Sequence, residues 1–346
     1  MKLHLVFFSL VILLTAQAGG VRAETITLTY ANFPPAVTFP SVQMERWAKE
    51  VEKRTNGKVK VKTFPGGTLL GSKNMLEGVT AGSADIGNFA MSYQPGRFPV
   101  SEAVDLYHGF TSAKVASQVL FDLVEKYQPK EFEKVKIVTL FTCPPTNIMT
   151  SNPVKSLKDL KGTELRVAGT AADVLKRLGG VPVAMPQSET PEAIQKGVVK
   201  GMLSSMEILQ DFKFAAYTPN VTLVNLPVVS FAAVMNKSKW DSLPADVKKV
   251  IDDLAREQAI WTGEYVDQHV KEALAWSVRE YKLQQFTLSA SDQRDIGKLL
   301  GSMTDEYIKK VSALGLNGKQ IVADVQALKE KYENPAKAAK SVKKKK

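Results

Sequence analysis

Arg166 stands between Leu165 and Val167 in a short strand-like run, directly after the segment PVKSLKDLKG. A guanidinium at the end of a half-buried strand is costly unless an anion faces it. It stays charged at any working pH, and its planar fork fits a carboxylate or sulfonate on two prongs. From the triplet alone two readings stand: an internal pair with an Asp or Glu, or an anchor for an anionic ligand. Groups for covalent or acid–base chemistry are sparse. There is no G-x-S-x-G elbow, no H-E-x-x-H, and no phosphate-cradling G-x-x-x-x-G-K-[ST] or G-x-G-x-x-G; the glycine pairs read as tight turns and helix stops. Past the N-terminal segment the histidines are His108 and His269, each without a Cys or His nearby, which argues against zinc. His108, beside Tyr107 and Phe110, reads as structural, and His269 as lying on an exposed helix face. Cys143 is the only cysteine, so no intramolecular disulfide forms, and it reads as a small buried residue rather than a nucleophile. Two carboxylates brought together by folding stay open as a glycosidase-type pair. The residues point to no enzyme, no cofactor and no metal.

The bulk of the chain agrees with a binding role outside the cytoplasm. Lys2, an apolar run over residues 5–14 broken by Ser9, and Val21-Arg22-Ala23 read as an export signal cleaved near Ala23. The run is about half the length a membrane-spanning helix needs. The expected location is periplasmic, with residues 1–23 removed. The net charge of +11 falls to +9 without Lys2 and Arg22, and to +3 without the six lysines of the tail at 333–346. That tail reads as a disordered basic end. Basic residues are not interleaved with aromatics, so nucleic acid is not an expected partner.

The elements that must position Arg166 alternate between strand and helix signals. Residues 25–31 alternate apolar and polar, residues 41–55 place Met44, Trp47, Ala48 and Val51 on one helical face, and residues 58–63 alternate again. A helix at 72–82 and a buried strand at 84–90 complete a β-α-β-α-β series, the mark of an open, largely parallel sheet. The second half repeats this grammar. There is a strand at 163–168, a helix at 170–178 and a strand at 181–184. A helix capped by Ser188 with Pro191 in its first turn runs to 196, followed by a strand at 199–204. The β-rich stretches 135–142 and 221–235 are expected to cross between two lobes. A long helix over 243–281 and helices near 291–313 and 317–332 close the chain.

Taken in order, four segments resemble the solute-binding proteins of tripartite ATP-independent periplasmic (TRAP) transporters, of the DctP-like family. They are WAKEVEKRTNGKVKVKTFPGGTLLGSKNMLEGVTAGSADIGN at 47–88, PVKSLKDLKGTELRVAG at 153–169, LGGVPVAMPQSETPEAIQKGVVKGM at 178–202 and MNKSKWDSLPADVKKVID at 235–252. The resemblance implies an α/β fold of the two-lobed periplasmic binding protein type: mixed sheets flanked by helices, hinge strands, and a long helix spanning both lobes. The expected division is lobe 1 over 24–142 with part of 228–260, and lobe 2 over 143–227 with part of 261–332. The implied partners are a small organic acid ligand and the integral membrane subunits of an ion-coupled TRAP permease, with the protein itself a monomer. A binding protein of an ABC importer, or a ligand-presenting component of a periplasmic sensor, is the alternative.

The resemblance also assigns residues. The family's acid-receiving arginine falls on Arg166, a cleft-facing acid of the family on Glu77, and a polar ligand contact on Ser204 or Ser205. The motif around the last departs from the family pattern, with Lys200 and Leu203 where acids are usual. Some relatives carry a second arginine about twenty positions before the first. Here Asn147 or Thr146 occupies that place, which favours a monocarboxylate on an otherwise weakly polar, aromatic or apolar body. Phe33, Phe39, Phe89, Tyr93 and Phe231, near predicted cleft loops, agree with such a lining, and Asn88 is a candidate donor. The implied mechanism is hinge closure, with Arg166 holding the acid group and Glu77, Asn88 and Phe89 meeting the ligand from the other lobe.

Overall fold

The computed structural model describes residues 25–335; the export signal expected over residues 1–23, and the tail from 336 onward, lie outside the described residues. The chain opens as its hydrophobic periodicity requires: β1 (Ile26–Asn32), α1 (Phe39–Arg54), β2 (Val59–Phe64), α2 (Met75–Thr80) and β3 (Ile86–Ala90). Then come α3 (Pro99–Glu102), α4 (Ala113–Tyr127) and β4 (Val135–Thr142). The second half runs β5 (Thr146–Thr150), β6 (Glu164–Val167), α5 (Ala171–Arg177), β7 (Val181–Ala184), α6 (Thr190–Gln195), β8 (Gly201–Ser204), α7 (Ile208–Asp211) and β9 (Asn220–Leu226). It continues with β10 (Ser230–Asn236), α8 (Lys237–Ser242), α9 (Ala245–Tyr281), β11 (Gln284–Thr287), α10 (Ala290–Ser312) and α11 (Gly318–Glu333).

Two mixed sheets result. The first has the order β2-β1-β3-β10-β4, with β1, β2 and β3 parallel and β10 antiparallel to both β3 and β4. The second has the order β11-β9-β5-β8-β6-β7, in which β6, β7 and β8 run parallel and β5 opposes β8 and β9. The chain passes between the sheets at residues 143–145 and 227–229. Strand β4 lies wholly in the first sheet, so 135–142 is not itself a crossing. The stretch 221–235 divides into β9 of the second sheet and β10 of the first. Prolines explain both break points: Pro144, Pro145 and Pro227 carry no N–H for a ladder. The two crossings are tied together, Cys143 N–H donating to the Val229 carbonyl at 2.9 Å and the Thr146 hydroxyl to the Pro227 carbonyl at 2.9 Å.

Helix α9 spans 37 residues, about 55 Å. It packs on α1, β4 and α4 beside the first sheet and on α7 beside the second. Its crossing over α4 is so close that a Cβ on Gly263 would sit 2.4 Å from the Lys114 Cα. One turn further, the Asp267 carboxylate accepts from Ala113 N–H (2.7 Å), Lys114 N–H (3.1 Å) and the Ser112 hydroxyl (2.6 Å), capping α4. Apolar burial holds the first lobe: Tyr30, Met44, Trp47, Ile251 and Leu254 on one face of its sheet, Phe89, Phe98, Leu120 and Leu123 on the other. The closing helices divide, α10 meeting α5 of the second lobe and α11 packing on α4 of the first. The helix expected after a Ser188 cap instead begins at Thr190, preceded by a single 3-10 turn over Gln187–Glu189, and Ser188 makes no cap bond.

Candidate functional site

Parallel strands collect loops at their carboxyl ends, where open α/β sheets bind ligands. Phe33 follows β1, Tyr93 follows β3, Arg166 is the penultimate residue of β6, Gln187 follows β7, and Ser205, Glu207 and Asp211 follow β8. All of them line one cavity of about 90 Å³ between the two sheets, together with Thr38, Phe39, Thr146, Ser204, Phe212 and Phe231. Its apolar wall is ordered by ring contacts. Phe231 stacks on Phe141 at 5.3 Å, Phe39 meets both edge-on at 5.9 Å, and Phe33 lies 5.5 Å from Tyr93.

Arg166 is 3% exposed. Its Nε donates to the Met185 carbonyl at 2.9 Å and its Nη1 to Gln187 Oε1, while the buried Nη2 has no protein partner among the described residues. No ion pair forms between Arg166 and any described carboxylate. Burial pulls the guanidinium below its ordinary pKa, and the neighbouring Tyr93 hydroxyl partly offsets this. The site also holds two acids. Glu207, 2% exposed, accepts from the Ser205 hydroxyl on Oε1 at 2.6 Å, and its Oε2 is unpartnered. Burial, with Asp211 close by, pushes its carboxyl up to about 7. Asp211, whose side chain is 4% exposed, meets His269 Nε2 through Oδ1 at 2.7 Å and leaves Oδ2 unpartnered. Burial raises Asp211, and Asp211 in turn raises His269.

A family model described as bacterial extracellular solute-binding protein, family 7 (DctP), matches residues 34–310. The chain belongs to this family. A TRAP periplasmic solute-binding protein from Desulfovibrio salexigens, solved as an open complex with the C-terminus of a symmetry mate in its ligand-binding site, superposes with a TM-score of 0.83. It is 51% identical, the match covering 90% of this chain and 97% of that one. A marine metagenome TRAP solute-binding protein specific for aromatic acid ligands, solved with metahydroxyphenylacetate and with 3-hydroxybenzoate, gives a TM-score of 0.85 at 29% identity, covering 89% of this chain and 99% of that one. A solute-binding protein from Sulfitobacter sp. (strain NAS-14.1) is 27% identical over 62% of this chain. The matched segment spans 63% of that relative, just under two thirds of its length. Among the described residues no helix is long and apolar enough to cross a membrane.

Against this family fold, the residues singled out from the sequence separate into two groups. Arg166, Ser204, Phe33, Phe39 and Phe231 line the cavity. Glu77, Asn88, Phe89 and Asn147 do not. Glu77 is exposed on α2 and pairs with Arg97. Asn88 is buried in β3, one residue pair deeper than the cavity-lining Ala90, and donates to Asn32 Oδ1 at 2.9 Å. Phe89 points to the opposite face of β3, as strand alternation demands, and packs 5.5 Å from Phe98. Asn147 is consumed by the backbone: Oδ1 accepts from Val224 and Asn225 N–H at 2.8 and 3.1 Å, and Nδ2 donates to the Pro145 carbonyl. Its neighbour Thr146 faces the cavity instead. His108 is half-buried, with Nε2 2.6 Å from the Ala103 carbonyl. His269 is half-buried against Asp211 rather than on an exposed face, because α7 packs over that turn of α9. The cavity-lining Gln187, Glu207 and Asp211 were not read from the sequence; their place just beyond the ends of β7 and β8 is the signal that marks them.

Proposed function

We propose that this protein, outside the cytoplasm, captures a small organic acid anion between its lobes and delivers it unchanged to a TRAP-type, ion-coupled membrane permease. The observation that carries this reading is Arg166: a buried guanidinium on a cavity wall, with Nη2 unpartnered and no carboxylate paired to it. Two hydrogen bonds fix the fork in place, so the remaining N–H edge is presented ready-made to an acid group. One guanidinium suits one acid group, and the wall of Phe33, Phe39, Tyr93, Phe212 and Phe231 suits an apolar or aromatic body. The 29%-identical relative, described as specific for aromatic acids, supports that choice.

Hinge closure supplies the capture. Arg166 and Ser204 belong to the second sheet's lobe, whereas Phe33, Phe39 and Tyr93 belong to the first, so a ligand touching both sets favours the closed arrangement. The first lobe contributes aromatic surface rather than the Glu77, Asn88 and Phe89 set. A thermal-shift screen of aromatic and aliphatic monocarboxylates and small sulfonates tests the reading. A ligand should raise the melting temperature in proportion to the logarithm of its concentration above Kd. Stabilisation by neutral sugars or amines, with no acid active, refutes it.

A further inference from the structure

Resting on that reading, we propose that the ligand also carries a hydrogen-bond donor, a hydroxyl or an ammonium, at the end remote from its acid group, and that Glu207 and Asp211 accept it. Both carboxylates line the same cavity as Arg166. Each has one oxygen occupied by a protein donor that fixes its orientation, Ser205 for Glu207 and His269 for Asp211. Each keeps its second oxygen buried and unpartnered. Buried acceptors are ordinarily satisfied, and leaving one unmet is costly.

The obvious internal remedy is not taken. Two buried acids and a buried arginine share one cavity, yet none of the described ion pairs joins Arg166 to either acid. Arg166 sits on β6, while Glu207 and Asp211 sit beyond β8, which is β6's neighbour in the same sheet. Closure of the hinge therefore leaves their separation unchanged. A molecule with an acid at one end and a donor at the other meets both poles at once. Its apolar middle lies against Phe39, Phe212 and Phe231. A metal ion does not fit the acidic pole, because among the described residues no group of three or more His, Cys, Asp or Glu side chains could hold one.

Isothermal titration of the mature protein with two matched acid series tests the inference: phenylacetate, 3-hydroxyphenylacetate and 3-(aminomethyl)phenylacetate, and pentanoate, 5-hydroxypentanoate and 5-aminopentanoate. In at least one series a donor-bearing acid should bind at least about tenfold tighter than its unsubstituted parent. In Glu207→Met that ratio should collapse to near unity. Asp211→Asn serves as a second variant, read the same way, should Glu207→Met fail to fold. Hydroxyl-bearing and ammonium-bearing arms distinguish a neutral donor from a cationic one. Parent acids that bind as tightly as their donor-bearing counterparts overturn this inference and leave the arginine-anchored acid reading standing. A ratio that survives in both variants also overturns it. Failure of all six acids to bind overturns both.

Discussion

Replacing Arg166 by methionine separates an anchor from a structural ion pair, because the two readings predict opposite changes in the unliganded protein. The substitution keeps most of the buried stem and removes the charge. In the bound state it leaves the ligand's acid group desolvated and unpaired, at a cost of about 3–5 kcal/mol, or roughly two to three and a half decades in Kd. In the free protein the losses are two hydrogen bonds, to the Met185 carbonyl and to Gln187, at about 1 kcal/mol each. Against them stands relief from holding a buried guanidinium with an unpartnered Nη2, several kcal/mol per ion in general. The free protein should therefore melt within a few degrees of wild type, or higher. Had Arg166 been the partner of an internal carboxylate, its removal would strand that charge and cost about 3–5 kcal/mol of folding stability, a fall of about 5–8 °C at this chain length. Calorimetric titration with an acid found in the screen, paired with differential scanning calorimetry of the free protein, reads both quantities. An affinity loss below tenfold, or a melting point lowered by more than about 5 °C, refutes the anchor assignment.

Gly169 has φ +54°, and a Cβ there would lie 2.5 Å from Ser92 Cβ and 3.1 Å from the Ser92 carbonyl, across the cleft. Gly169→Ala should hinder closure and weaken ligand binding by about tenfold, consistent with 1–3 kcal/mol of strain; ligand-saturated protein that scatters X-rays as compactly as wild type, with unchanged Kd, counts against this. Burial pushes both Glu207 and Asp105 up to about 7, so between the ordinary carboxylate range and pH 7 the folded chain holds protons that the unfolded chain releases. The contribution of Glu207 should accordingly be full below about pH 4.5 and be lost as pH rises through 7, roughly 3 kcal/mol in all, with Asp105 adding a fall that starts at still lower pH. The slope, measured by urea unfolding at pH 5 and 8, should shrink in Glu207→Gln, and an identical slope refutes the assignment. Asp267→Ala uncaps α4 and should cost about 1–2 kcal/mol in the same assay; a change under 0.5 kcal/mol would mean water replaces the cap without loss.

Most strands and helices were legible because each buries one face and writes that face as a period. Residues 135–142 and 181–184 appear as strands with the expected bounds, and the long helix read over 243–281 begins at Ala245, just past Pro244. Helix α4 was unread although Ala116, Val119, Leu120, Leu123 and Val124 write a helical period, whereas two unread strands carry no contrast. Strand β5, TNIMT, is buried at every position in the middle of its sheet, so no polar face alternates with an apolar one. Strand β11 has four residues at an edge and owes its existence to pairing with β9. Where α11 docks is likewise tertiary: its Ile321 and Val325, with Tyr307 and Val311 from the end of α10, form an apolar surface that any apolar partner could cover, and it is the core around α4 that does so.

The site was legible where chemistry alone breaks the pattern, and obscure where only a side chain's direction decides. Arg166 is conspicuous in any strand. Asn88 and Phe89 adjoin the right strand end, yet one step of depth and one flip of alternation remove both from the cavity. Glu207 and Asp211 look like ordinary surface acids in the string SSMEILQD, and become informative only when both prove buried with an oxygen to spare. The question left open by the triplet, pair or anchor, was thus never answerable from residue types, since acids are present in the cavity and could have formed the pair. What favours the anchor is the sheet. Strands β6 and β8 are neighbours, so Arg166 and the acids beyond β8 ride on one rigid body, and no motion of the hinge can join them. Buried polar groups held apart in this way keep their desolvation cost in the empty protein, and a ligand that met them would recover it as binding free energy.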